Sequence, residues 1–132
     1  GMTDIRAGVE KAVFDRLTAQ IVGAGVYQHS PQDAAPPFVM LSDVTSESRG
    51  GKSGGLDRLI VTIQCEEKKP GRKALNALMA QARTALDQWK PAATLGVLCG
   101  TFAFQGDDSF RIDEDDHYFG TLRFLTFAQP SA

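Results

Sequence analysis

An α+β fold is predicted, with a mostly antiparallel sheet of about four to five strands and two helices packed on one of its faces. Three features of the sequence predict it. Two segments carry apolar residues at helical spacing, near residues 5–21 and 72–90. Between them lie two β-rich segments in tandem. After the second helix come three more, divided only by short polar turns. The predicted order is α-β-β-α-β-β-β, and strands that follow one another through short turns pair antiparallel.

In the first helix Ile5, Val9, Val13, Leu17 and Ile21 fall on one face, with Arg6, Glu10, Lys11 and Asp15 elsewhere. Thr3 is the expected N-cap, with Asp4 in the first turn to complement the helix dipole. Gly23 and Gly25 close the helix. Residues 27–37 read as a loop or short extended piece, since Pro36-Pro37 excludes a helix.

Residues 38–46 form a strand, and residues 46–55 (SESRGGKSGG) a mobile loop without a core anchor. The next strand, 56–66, alternates cleanly. Leu59, Val61, Ile63 and Cys65 take one face, and Arg58, Ile60, Thr62 and Gln64 the other. Together these strands make an antiparallel hairpin with a long tip. The second helix follows a polar break, with Leu75, Leu78, Ala82, Leu86 and Trp89 as its stripe and Pro91 as its stop. Trp89 at the end of that stripe reads as core. Residues 97–105 form a third long strand, Gly106-Asp107-Asp108 a turn, and 109–113 a short strand. The last strand, 118–128, is apolar on both faces through Phe119, Leu122, Phe124, Leu125 and Phe127, so it is expected to be central or covered on both sides. Residues 129–132 should fray.

The 132 residues suit one domain spanning 1–132, with Gly1 read as a tag remnant before Met2. Such a chain can bury a core without metal or disulfide staples. A net charge of −2, from 14 basic and 16 acidic residues, argues against a dedicated nucleic-acid binder. No apolar run approaches the ~20 residues of a membrane helix, and the N-terminus lacks a signal-peptide plan. Cytoplasmic synthesis is the expectation. Cys65 and Cys99 form no C-x-x-C pair and read as buried free thiols.

Each candidate for chemistry fails at a nameable residue. Arg49-Gly50-Gly51-Lys52-Ser53 contains the end of a phosphate-binding loop. The full pattern needs a glycine where Ser46 stands and a helix where a strand follows. Asp113, Glu114, Asp115 and Asp116 suggest calcium. An EF-hand needs a glycine at its sixth position, where Tyr118 stands, and a closing glutamate that is also missing. No cofactor and no metal are expected. Lys68, Lys69, Arg72 and Lys73 stand beside Glu66 and Glu67 and read as a solvated surface. A second reading is a small-ligand or thiol-dependent enzyme domain, with a pocket between sheet and helices. It would need Cys65 or Cys99 to meet His29 or His117.

In its order of features, the sequence resembles the tail-completion, or tail-terminator, proteins of long-tailed bacteriophages, prophages and related gene-transfer particles. The residues that carry the resemblance are Val9–Thr18 in the first helix, Gly25-Val26-Tyr27, the strand entry Pro37-Phe38-Val39, Leu59–Cys65, the second helix with Arg83-Thr84-Ala85-Leu86, and the close at 118–127. The acidic region before the last strand departs from the family, which often carries an arginine or other polar residue there. The resemblance implies a structural protein and not an enzyme. It implies a hexameric ring that caps the tail-tube protein and docks it to the head–tail connector protein. It also implies DNA in transit through the lumen, no membrane partner, and a place in the virion neck after cytoplasmic assembly. The partner-binding loop is then expected at Arg49, Gly50, Gly51, Lys52, Ser53, Gly54 and Gly55.

Overall fold

A computed structural model describes residues 3–28, 35–48, 56–68, 72–112 and 117–131. The elements are α1 (Ile5–Gln20), β1 (Gly25–Tyr27), β2 (Phe38–Ser48), β3 (Asp57–Glu67), α2 (Arg72–Leu86), β4 (Val97–Cys99), β5 (Ala103–Ile112) and β6 (His117–Pro130). The fold is α+β, as the sequence predicts, with six strands rather than four or five. The sheet runs β1-β2-β3-β6-β4, with β5 also on β6. β4 pairs with residues 128–130 of β6 and β5 with residues 117–125, so they lie end to end along one edge of it.

The strand alternation decides which face is covered. In β3, Leu59, Val61, Ile63 and Cys65 are fully buried, and residues between them are half-buried. β6 sets Leu122, Phe124 and Ala128 against the same core. Val9, Val13 and Leu17 of α1 and Leu75, Leu78, Ala82 and Leu86 of α2 complete one cluster. The Arg16 side chain donates to the Ala85 carbonyl at 2.9 Å and lies over the Trp89 ring. Trp89 packs against this core, as its place in the stripe predicts.

Several expectations are corrected. Asp4, not Thr3, is the N-cap: its Oδ1 accepts from the Ala7 amide at 3.0 Å. α1 ends at Gln20, before Gly23 is reached, although Ile21 remains buried. α2 ends at Leu86 rather than Lys90. Its apolar stripe continues to Trp89, but the backbone there bonds elsewhere. The Gln88 amide donates to the Phe102 carbonyl and the Phe102 amide to the Trp89 carbonyl, each at 2.8 Å. Asp87 Oδ1 accepts from the Phe104 amide.

The first strand of the sheet starts at Gly25, read as closing the helix, and ends at Tyr27, where the loop or short extended piece was expected to begin: residues 25–27 pair with 38–40, and they do so in parallel. The sheet is therefore mixed. The predicted strand 97–105 is two strands, β4 and β5, broken at residues 100–102. The expected turn at Gly106-Asp107-Asp108 lies inside β5 as a bulge, where Gln105 is the extra residue and Gly106 takes φ 148°. β6 continues through Gln129 and Pro130, which pair with Leu98 and Val97 instead of fraying. The β2–β3 hairpin is antiparallel, as expected, but β2 runs past residue 46 into the stretch read as a mobile loop, and Glu47 and Ser48 pair with Arg58 and Asp57.

Candidate assembly surface

β6 is paired on both edges, by β3 and by β4 with β5. Its central place was legible in the sequence. Its helix-facing residues are buried; the alternate set, His117, Phe119, Thr121, Arg123, Leu125 and Phe127, looks away from the helices and is only partly covered. In the neighbouring strands, Glu66, Gln64, Thr62, Ile60 and Arg58 stand opposite these residues on β3. The outward face is therefore a band of apolar groups set among charges.

At one end of the band three rings stack. Phe110 and Phe119 lie 5.1 Å apart at 11°, and His117 stacks on Phe119 at 4.8 Å. Phe110 is 50% exposed. His117 Nε2 lies 3.4 Å from Glu66 Oε1. Burial pushes the Glu66 carboxyl above its ordinary range, while His117 and a hydrogen bond from Gln64 act the other way. Across the middle runs Arg123 with Asp108 at 3.7 Å, and the Thr121 hydroxyl donates to Asp108; Arg58 with Glu47, also at 3.7 Å, lies toward the far end beside Phe127. Such exposed pairs contribute little to stability.

At the other end Ile60 and Leu125 are cross-strand neighbours. Beyond them Phe127 and Leu56 are 39% and 37% exposed. A cleft of about 200 Å³ opens there between Leu56, Leu98 and Phe127, with Lys90, Cys99, Gly100 and Gln129 also lining it.

Among the described residues, those singled out for chemistry do not converge. Cys65 is buried on the core side of β3, whereas His117 is on the outward face of β6. Cys99 pairs with Ala128, at the far end of β6 from His117. Burial alone pushes the Cys65 thiol up to about 12 and Cys99 to about 11, which suppresses the nucleophilic thiolate. Arg49, Gly50, Gly51, Lys52, Ser53, Gly54 and Gly55 lie outside the described residues, as do His29 and the acidic run 113–116. Sequence reasoning missed Phe110, Leu98 and the outward role of Phe127. The available signal was that β6 is apolar on both faces in a chain whose two helices cover only one.

A family model described as tail completion protein gp17 matches residues 11–129, nearly the whole fold. The chain belongs to this tail-completion family. It is a structural protein of a phage-type tail and not an enzyme. No curated protein matches the sequence. Among solved structures, the fold is similar to a chain of the virion of a native gene transfer agent particle, with a TM-score of 0.78. The two are 20% identical, and the match covers 97% of this chain and 99% of that one. The two chains thus share a fold over nearly their full lengths at low sequence identity.

Proposed function

We propose that this chain completes a phage-type tail as a ring of subunits, hexameric by family resemblance, that caps the tail-tube protein and joins it to the head–tail connector. The observation that carries this reading is the family match across residues 11–129, which runs from the second half of α1 through α2 and the strands to the end of β6 but for its last residue. We read these elements as one unit, since they share a single core cluster. The work is geometric. A sheet whose outward face alternates apolar groups with weak surface ion pairs can be covered by a partner at small desolvation cost. Residues 49–55 are the proposed loop for contact with tube or connector. DNA passes through the lumen, and a chain of net charge −2 does not hold the phosphate backbone in transit. Assembly takes place in the cytoplasm, and the finished ring resides in the virion neck.

The test is the mass of the particle, measured by sedimentation velocity for the protein alone and mixed with its tail-tube protein. A closed ring, or a complex on tube ends, is expected in the mixture. A strict monomer in both samples would sink the reading.

A further inference from the structure

The turn into β4 places a large apolar residue where the backbone least favours one. Thr94 and Val97 exchange two backbone hydrogen bonds of 2.9 Å, and between them Leu95 and Gly96 take φ 50° and 74°. Two positive φ angles in a two-residue hairpin loop suit Asn-Gly or Asp-Gly. Gly96 fits that pattern and Leu95 does not, because a Cβ is penalised in the left-handed region and leucine has no polar group to bond locally. The side chain gains no burial in return, for Leu95 is 60% exposed. The turn beneath it is well fixed. α1 passes so close at Gly8 that an added Cβ would meet the Thr94 carbonyl oxygen, and the Ser131 amide donates to the Gly96 carbonyl at 2.8 Å.

A matching socket lies on the same chain. The cleft between Leu56, Leu98 and Phe127 holds about 200 Å³, is lined mainly by apolar surface, and does not include Leu95. It is wide enough for a leucine side chain.

We propose that Leu95 is a self-association knob that enters the Leu56–Leu98–Phe127 cleft of a second copy of this chain. Knob and socket are different residues, so a copy can give its Leu95 to one neighbour and take another's Leu95 into its cleft, the heterologous pattern that closes as a ring; mutual exchange within a pair would instead stop at a dimer. Burying Leu95 in a neighbour offsets both its exposure and the backbone cost of its turn, which no role within one chain does. This inference rests on the ring reading above and names the contact that closes it.

Leu95→Asn separates assembly from folding, because asparagine suits the turn. The variant should melt at or above the wild-type temperature, while its self-association, followed by sedimentation with tail-tube protein present, weakens at least tenfold. Leu98→Gln should weaken it comparably, and the double variant no further than the worse single. Because Cys99 lines the same cleft, the cross-link is read in a Cys99→Ala background: separately purified Leu95→Cys and Phe127→Cys chains, mixed under mild oxidation, should cross-link faster than either alone. If wild type and Leu95→Asn assemble equally and no preferential cross-link forms, the knob is wrong and the ring reading stands. If Leu95→Asn melts several degrees lower, Leu95 serves the fold and the knob is again wrong. If wild type stays monomeric with tube protein and no cross-link forms, both readings fall.

Discussion

Cys65 and Cys99 were legible as buried thiols from their place on apolar strand faces, and their burial has a consequence for pH. Each thiol is held in its neutral form by desolvation, from an ordinary value of 9.0 up to about 12 for Cys65 and about 11 for Cys99. The folded pKa lies above the unfolded one. The stability these groups contribute is therefore complete below pH 9 and is lost as pH rises toward 11 and 12. Urea melts should show stability falling by roughly 1 kcal/mol per thiol for each unit above pH 9. A Cys65→Ala, Cys99→Ala double variant, weaker throughout, should lose that slope. Thiol labelling of the native protein near pH 8 should be slow and keep pace with global unfolding. Fast labelling without unfolding would contradict the burial. What the sequence could not show is the distance from His117. That depends on which end of β6 each thiol reaches, and hence on pairing across the sheet.

Elements with strong local periodicity were legible, and those fixed by distant hydrogen bonds were not. The β2–β3 hairpin and both helices follow from apolar spacing. The early end of α2 does not, because the Phe102 and Phe104 backbone captures Gln88 and Asp87 from outside the helix. Nor does β1, whose three residues carry no pattern and whose strand partner is β2. Gly8 illustrates the same limit inside α1. By helix propensity alone Gly8→Ala should stabilise by about 1 kcal/mol. Here a Cβ would run into Val97 Cγ2 and Cβ and the Thr94 carbonyl oxygen. Val97 is a stiff, buried side chain and Thr94 contributes backbone, so neither yields easily. Gly8→Ala is expected to destabilise by about 1–3 kcal/mol, read as a fall in the urea midpoint with an unchanged slope. A stabilised variant would mean that α1 and the β4 turn separate more readily than their packing implies.

At the scale of the whole molecule, the sheet has one face packed against the helices and one only partly covered, and the last described pair of the β2–β3 hairpin lies at one end of that sheet. Residues 49–55, proposed to contact tube or connector, lie beyond the last pair of β2 and β3. Ser48 and Asp57 stand directly opposite each other there. A two-residue Asn-Gly turn can therefore replace residues 49–56 and close the hairpin without a change of register. Shortening the loop also lowers the entropy cost of closure. The shortened protein should melt within a few degrees of wild type, since the core residues nearest the tip, Leu59 and Val44, keep their pairing. Leu56 is lost with the loop, so a second variant retaining Leu56 and replacing only 49–55 keeps the socket edge intact. In that variant self-association should persist while binding to tail-tube or connector protein falls at least tenfold in co-sedimentation. Unchanged binding would remove the loop from the partner interface and leave the outward sheet face as the docking surface.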